Sequence, residues 1–463
     1  MPSTIADFYA GRSVFVTGGT GFMGKVLLEK LLRSCPDIAT IYMLVRPKKG
    51  DDPKSRVEKL LASKLFDLVR EKQPDVAEKV KLIAGDLMEP DLGISAEDHT
   101  RLADNVSIVF HSAATVRFDE TLRVAMRMNV VAVQMMLQLC YKLPKLEAFV
   151  HVSTAYAYCD RNYIAESVYD PPVLPDKLLE SMEWMDDDLV DAMTPKLIHP
   201  RPNTYTFTKA LAEHVILEAA ENLPCCIVRP SIVGAICREP IKGWVDNFKG
   251  PAGLVIAIGK GLLRVILGNS LGVADVIPVD LAINMMIAAA WHTATERPAK
   301  MPVYNCTTGQ LNKVTWGELG LLSQKALAKN PLDDAIRIPH LTLTTNSYWH
   351  AVNNWFSQTL PAGALDMYRQ ITGKSPIFMK IQDRVDKSAS SLRFFTMHQW
   401  TFANDNVLAL QDRLSPEDHE DFNFDATQIE WPSYLENYCL GTKLFALKED
   451  MSDMPKAKQA LQR

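Results

Sequence analysis

The sequence predicts an α/β fold, a doubly wound parallel sheet with helices on both faces, followed by a helical C-terminal domain. Three observations predict it. Apolar runs of about five residues alternate with stretches of helical periodicity from the N-terminus to about residue 230. A glycine-rich turn, residues 18–24, joins the first such run to the first helical stretch. Beyond about residue 330 the alternation stops and aromatic residues gather (Trp349, Trp355, Phe394, Phe395, Trp400, Trp431).

Taken in order, residues 13–17 (SVFVT) read as a strand and residues 26–32 (VLLEKLL) as helix. Strands follow at 41–45, 80–84, 107–111, 148–153 and 226–229, with helices expected at 56–69, 121–143 and 205–220. Val279 and Asp280 open a further apolar helix with Asp280 as its N-cap, and 303–306 is one more strand. The expected division is residues 1–330 for a nucleotide-binding domain with substrate-binding segments, 345–450 for the helical domain, and 451–463 for a tail.

Composition removes several function classes. The chain has 463 residues, too many for one ordinary core, with 47% hydrophobic and 23% charged residues, a globular profile. Net charge is −5 and no basic block dominates, so nucleic acid is not an expected partner. The eight cysteines form no CxxC pair and cluster only at Cys225-Cys226, which points to a reducing compartment without a disulfide framework or a zinc site. No metal is expected. The N-terminus has no basic-then-apolar leader, and no apolar run reaches membrane-spanning length. The nearest, residues 251–259, is followed at once by Lys260 and Arg264.

Thr17, Gly18, Gly19, Thr20, Gly21, Phe22, Met23 and Gly24 form the turn. Its glycines at 18, 21 and 24 serve a tight turn, close backbone approach to a pyrophosphate, and close packing of helix on strand. Helix N-terminal N–H groups then favour the phosphates. The second strand selects the cofactor. An NAD site places an acid about 20 residues past the glycines. Here Leu44-Val45-Arg46-Pro47-Lys48-Lys49 has none, and Arg46 stands 22 residues after Gly24. A guanidinium matches a ribose 2′-phosphate, so NADPH is the expected cofactor. Asp86 and Leu87 fit an adenine-contacting turn. Ala113 and Ala114, after the fourth strand, would pass under the cofactor, with His111 read as structural. Asn129 is read as a structural hydrogen-bonding residue.

Tyr205 and Lys209 are four apart at the start of a helix, hence on one face. A tyrosine is a poor acid or base at neutral pH, and a nearby ammonium is expected to lower its pKa while also holding the nicotinamide ribose. A hydroxyl is needed to orient a carbonyl. Thr154, favoured over Ser153, ends the fifth strand at the edge where ligands bind such sheets. Pro230 and Ile232 would line the nicotinamide pocket, with Arg229 structural.

These residues resemble the extended short-chain dehydrogenase/reductase fold, a Rossmann architecture. The blocks TGGTGFMGKVLLEKLLRSCPDI, FHSAATVRFDETL, HVSTAYAYCDRN, RPNTYTFTKALAE, VRPSIVGA and WPSYLENYCLGTKLFALKEDM resemble the animal alcohol-forming fatty acyl-CoA reductases. So do EWMDD with TPKL, IPVD, YNCTTG and SPED. The resemblance implies a C-terminal male-sterility domain. It also implies reduction of a long-chain acyl-CoA by two NADPH to a primary alcohol for ether lipids and wax esters. Tyr205, Lys209 and Thr154 (or Ser153) take the family's catalytic positions. Gly19 and Met23 replace the family's usual alanine and leucine. Relatives continue into a hydrophobic membrane anchor, expected at the peroxisomal membrane or, second, the endoplasmic reticulum; this chain stops at Gln462-Arg463, about where the anchor would begin. Oligomeric state is not specified.

Several readings stay open at this point. Residues 251–267 offer apolar surface, with Lys260 and Arg264 one helical turn apart, and would line an acyl tunnel or meet CoA phosphates; equally, they would be a core helix with two surface cations. The acidic stretch 183–188 is a lid or a solvated surface. Cys159 or Cys237 would serve a rival covalent thioester route. Another enzyme of the same fold, such as an aldehyde-releasing acyl-CoA reductase or a sugar-nucleotide or sterol enzyme, and a non-catalytic lipid-binding scaffold are the remaining alternatives.

Overall fold

A computed structural model describes residues 4–47, 52–248 and 250–462 of the chain. Seven strands form one sheet: β1 Ser13–Thr17, β2 Thr40–Val45, β3 Val80–Ala84, β4 Val106–His111, β5 Ala148–Val152, β6 Cys225–Pro230 and β7 Val303–Cys306. Their order is β3-β2-β1-β4-β5-β6-β7, and every neighbouring pair is parallel. The order reverses between β1 and β4, so a crevice opens at their carboxyl ends, where ligands bind in such sheets.

The central strands are buried throughout and mostly apolar because helices cover both faces. We label the main helices α1 Phe22–Ser34, α2 Leu122–Tyr141, α3 Thr204–Ala219, α4 Pro251–Gly259 and α5 Val279–Glu296. On one face Met126 and Met136 of α2, and Phe207 and Leu211 of α3, pack with Phe15 and Phe149 of the sheet. On the other, α5 lies against α1, β5 and β6. Among the described residues α2 is the one helix long and apolar enough to cross a membrane, but over half of its apolar window is buried in this core.

The helix expected over 56–69 is two helices, Pro53–Leu61 and Asp67–Lys72. Arg70 explains the break: its guanidinium binds the carbonyls of Leu61 and Ser63, satisfying groups that a continuous helix would have paired internally.

The chain forms two compact units, and the division is interleaved rather than linear. The first contains residues through Ser231, then Val279–Thr307 and Phe402–Asp425. The second contains Ile232–Pro278, Thr308–Thr401 and the residues from Ala426 onward. These units differ from the linear division at residues 330 and 345. Residues 402–425 belong to the first unit because they cover its edge strand. Asn406 Nδ2 donates to the Val303 carbonyl of β7 (2.9 Å), Asn404 Nδ2 to the Asn305 carbonyl (2.8 Å), and the Asp418 carboxylate accepts from the Ile5 N–H (2.8 Å). Phe402, Phe422 and Phe424 of this segment are buried. A covered edge removes an open template for strand pairing.

The second unit is mainly helical, with α6 Trp316–Lys329, α7 Leu360–Ile371, α8 Phe378–Met397 and α9 Trp431–Gly441. Ile258, Leu263, Ile266, Leu327, Leu332 and Cys439 form its core. It also holds short parallel strand pairs that the periodicity did not reveal: Ile232–Gly234 with Val276–Pro278, and Val265–Leu267 with Thr342–Thr344.

Candidate active site

The glycine turn connects β1 to α1 at the crevice. Gly18 has φ +76, a conformation disfavoured for residues with a Cβ, and a Cβ there would sit 2.8 Å from the Ala113 nitrogen and the Ser112 Oγ. Thus β4's exit segment, with Ala113 and Ala114, lies directly against the turn. Ser112 Oγ donates to the Thr17 carbonyl (2.9 Å), locking the two loops together. A Cβ on Gly24 would lie 2.2 Å from the Gly18 oxygen, so α1 touches the turn itself. Gly21, the N-cap of α1, makes no side-chain cap, and its Cβ position faces open space apart from the Gly18 oxygen. Thr20, Phe22 and Met23 carry the chain around the turn into α1. The departure at Gly19 has a local partner: a Cβ there would meet the Met43 sulfur at 2.5 Å.

Arg46 leaves β2 on the same edge, half exposed, with Nε 3.8 Å from the Asp86 carboxylate. The structure therefore brings together two of the expected cofactor residues. Arg56 donates to the Arg46 carbonyl (2.7 Å), adding a second guanidinium that the sequence reading missed. Lys48 and Lys49 lie outside the described residues. Leu87 is buried in the core, so only its backbone is available to a ligand.

Thr17 Oγ1 is 2.7 Å from His111 Nδ1. His111 is buried, and burial, with Lys209 adding to it, pushes its pKa down to about 3. The ring is neutral and structural. Asn129 sits in a π-turn within α2, bonding both the N–H and the carbonyl of Thr115 and the hydroxyl of Thr208 on α3. It fastens the β4 exit loop to the helix that carries Tyr205.

Asn203 caps α3, its side chain accepting from the Thr206 N–H (2.9 Å), which fixes Tyr205 in the first turn. The side chain of Thr154 lies by the Tyr205 phenol and acts to lower its pKa, and the phenol ring stacks on Phe118 with centroids 5.9 Å apart. Ser153 Oγ, by contrast, is buried with no partner. It ties down no backbone group. Thr154 does, accepting from the Tyr156 N–H (3.3 Å). Lys209 Nζ donates to the Val152 carbonyl at the end of β5 (2.7 Å).

The electrostatics differ from the sequence expectation. Burial raises Tyr205 to about 12, offset only by the Thr154 side chain, and burial lowers Lys209 to about 8, offset by Glu213. Desolvation favours the neutral form of each group and outweighs any pull of the lysine on the phenol. Glu213, one turn beyond Lys209, is itself held by Arg229 through bonds of 2.6 and 2.9 Å, with both side chains fully buried. Arg229 also binds the carbonyls of Ala165 and Ser167. It is a structural residue, as read.

Pro230 ends β6 in the first unit, with Ser231 Oγ beside it buried and unpartnered; Ile232 belongs to the second unit. The orphaned hydroxyls of Ser153 and Ser231 lie at the carboxyl ends of the adjacent strands β5 and β6, on the sheet edge that also carries the glycine cradle. Cradle, Arg46 and orphan hydroxyls fit a dinucleotide along this edge.

Lys260 and Arg264 do not share a helix face. Gly261, at φ +75, ends α4, whose last residue is Gly259. Lys260 pairs with Glu449 (2.7 Å) and binds the Asp333 carbonyl, so its charge is already matched. The acidic stretch joins helices Pro175–Trp184 and Asp187–Ile198. Arg123 of α2 tethers it by pairing with Asp187 and donating to the Met182 and Met185 carbonyls (2.8 and 2.7 Å). Cys159 is buried and its thiol is raised to about 12, chiefly by burial, which leaves no thiolate at neutral pH for the covalent route. Cys237 lies in the second unit.

Two family models match consecutive stretches of the chain, each spanning parts of both units. A nucleotide-binding family model described as male sterility protein matches residues 16–286, and a second model of that description matches residues 357–449. The reductase domain of a nonribosomal peptide synthetase from Mycobacterium tuberculosis superposes with a TM-score of 0.63 at 19% identity, covering 94% of this chain and 92% of that one. The terminal reductase domain of the myxalamid pathway gives 0.59 at 18%, covering 93% and 90%. These likenesses establish the extended short-chain dehydrogenase/reductase fold, and the cofactor is a nicotinamide dinucleotide. Fatty acyl-CoA reductase 1 of Xenopus laevis is 51% identical over 99% of this chain and 89% of its own length. The Homo sapiens protein of that name is 49% identical over the same shares, and fatty acyl-CoA reductase 2 of Bos taurus is 48% identical over 100% and 90%. Identity of this degree from end to end reflects common descent of both units together, and the chain belongs to the fatty acyl-CoA reductase family.

Proposed function

We propose that this chain reduces a long-chain fatty acyl-CoA to the primary alcohol and free CoA, through an aldehyde-level intermediate, with two NADPH consumed. The observation that carries the reading is the juxtaposition of Tyr205 and Thr154, with Lys209 one helical turn on, at the sheet edge that also carries the glycine turn. NADPH supplies hydride when bound. The turn at Gly18, Gly21 and Gly24 would hold its pyrophosphate, Arg46 its 2′-phosphate, and Lys209 its ribose, since only one of three ammonium N–H groups is used by Val152.

Thr154 and Tyr205 converge to donate to one substrate oxygen, which polarises the carbonyl and positions its carbon. When hydride adds to the thioester carbon, the oxygen gains negative charge and Tyr205 protonates it. A phenol raised to about 12 stays protonated at neutral pH, which suits a proton donor in the reducing direction. Collapse of the tetrahedral adduct re-forms the carbonyl and breaks the C–S bond, and the proton lost by the hydroxyl offsets the one taken up by the leaving sulfur, so CoA departs as its thiol. Tyr205 would regain its proton from solvent and, once a second NADPH had replaced the spent cofactor, would protonate the oxygen as the aldehyde carbon takes the second hydride.

The charge and fork of Arg46 support NADPH over NADH. By the same family reading, the alcohol serves ether-lipid and wax-ester synthesis at the cytosolic face of a peroxisomal membrane. Product analysis with purified protein, NADPH and a panel of acyl-CoAs tests the proposal. Alcohol with two NADPH oxidised per acyl-CoA supports it; aldehyde alone, or no product, defeats it.

A further inference from the structure

The helical run at residues 347–371 in the second unit is amphipathic the wrong way round. Its inward positions, Gln358, Ala362 and Asp366, are buried. Two of these three are polar, and both are fully used. Gln358 accepts from the Arg264 N–H (2.8 Å), and Asp366 accepts from the N–H groups of Ile377, Phe378 and Met379 (2.7–2.9 Å), pinning the start of α8. The outward positions are large and apolar. Trp349, Val352, Phe356, Leu360, Met367 and Ile371 are all exposed, Phe356 by 61%, Met367 by 65% and Ile371 by 79%. These outward residues recur every three or four positions, with Ala364 between Leu360 and Met367, so they form one stripe. A π-turn at Trp355–Thr359 lies in the middle of the run. A stripe of this size is far outside the scatter of single exposed hydrophobic residues on a soluble surface.

The stripe's surroundings name its partner. Tyr348, Trp349, Trp355 and Tyr368 are exposed on or beside it, and such side chains, apolar with one polar tip, settle at a membrane–water boundary. Residues 345–393 carry six Lys or Arg (Arg369, Lys374, Lys380, Arg384, Lys387, Arg393) against three Asp and no Glu, in a chain whose net charge is −5. One of those aspartates, Asp366, faces inward. Exposed Lys374 stands between exposed Ile371 and Ile377 in the loop joining α7 to α8. Apolar stripe, aromatic flanks and a cationic rim together match the surface of an anionic bilayer.

We propose that residues 347–377 are an interfacial membrane-docking surface that lays the Trp349–Ile371 stripe into the headgroup–acyl boundary of an anionic phospholipid leaflet. This surface is separate from any transmembrane anchor and does not depend on the reaction proposed above.

Vesicle flotation of the full chain tests it, with phosphatidylcholine vesicles and with phosphatidylcholine–phosphatidylserine vesicles. The protein is expected to float with both and more strongly with the second, the excess disappearing at high salt. Trp355→Ser with Phe356→Ser and Ile371→Ser is expected to lower the bound fraction about tenfold. Met367→Ser with Ile371→Ser, which leaves the π-turn untouched, lowers it by less. Lys374→Glu with Lys380→Glu removes the phosphatidylserine preference. Circular dichroism and turnover of a water-soluble short-chain acyl-CoA remain those of the parent in every variant. The proposal is overturned if the parent floats with neither vesicle, or if both serine variants float like the parent. It is also overturned if light scattering shows a dimer that the triple variant converts to monomers while flotation is absent, which would assign the stripe to a second copy of the chain.

Discussion

Lys209 offers a quantitative test of how burial governs the site. In the folded protein its pKa lies at about 8, lowered chiefly by desolvation, whereas an unfolded lysine titrates near 10.4. The gap of roughly 2.4 units corresponds to about 3 kcal/mol. Below about pH 8 both states carry the proton, and the native state bears the full cost of a buried ammonium. Between about pH 8 and 10.4 the unfolded chain still binds a proton that the native state has released, so the stability of the parent rises with pH across this window. Lys209→Met has no such group. The variant also loses the bond to the Val152 carbonyl, but that loss is a nearly constant offset below about pH 8, and subtracting the two curves exposes the titration. The measurement is urea unfolding of both proteins at steps from about pH 7 to 10.5, followed by circular dichroism. The difference, parent minus variant, is expected to climb by about 3 kcal/mol, with a slope no steeper than about 1.4 kcal/mol per pH unit. Parallel curves would refute the claim that burial holds Lys209 below its ordinary pKa. The same titration predicts that kcat/KM of the parent falls as pH rises through about 8, when the ammonium is lost.

Tyr205→Phe removes the proton donor while keeping the ring against Phe118; kcat is expected to fall about 10²- to 10⁴-fold with cofactor affinity little changed, as read by single-turnover kinetics and cofactor titration. Arg46→Ala is expected to cut the ratio of kcat/KM for NADPH over NADH by about 10- to 100-fold, the worth of a hydrogen-bonded charge pair; an unchanged ratio would assign 2′-phosphate binding elsewhere, with Arg56 the first place to look. Arg229→Leu leaves the Glu213 carboxylate buried without its guanidinium and is expected to cost about 3–5 kcal/mol in urea unfolding. Adding Glu213→Leu should recover most of that loss, because the penalty comes from the orphaned charge.

The parts of the site legible in the sequence are those whose geometry is set within a few residues. The turn at 18–24 needs only its own glycines and the flanking strand and helix, and Tyr205 and Lys209 share a face because four residues make about one helical turn. The choice between Ser153 and Thr154 is of another kind. Both follow β5 directly, and successive side chains in extended backbone point to opposite sides, so the one that meets the phenol depends on how α3, about 50 residues later in the chain, packs across the sheet. The tyrosine's pKa went the other way from the sequence expectation for a related reason. Spacing shows that an ammonium is near, but not how much water both groups lose, and here the loss of water dominates.

Lys260 and Arg264 show where local reasoning stops even inside one segment. Apolar composition continues through residues 251–267, and a helix extrapolated across it sets the two cations on one face. A single glycine at positive φ, Gly261, ends the helix between them. Lys260 then finds its carboxylate at Glu449, 189 residues away, a pairing with no counterpart in periodicity. The return of residues 402–425 to the edge of the first sheet is the same phenomenon at larger scale, since its determinants, Asn404, Asn406 and Asp418, are ordinary loop and helix-start residues until β7 and Ile5 are placed beside them. The machinery for holding a dinucleotide and moving a proton is therefore written in short-range patterns. Which face of a segment is left exposed depends instead on contacts with residues distant in the chain. The inverted stripe at 347–371 illustrates the difference. As sequence it is an unremarkable amphipathic helix, and only the burial of Gln358 and Asp366 reveals that its apolar face is turned outward.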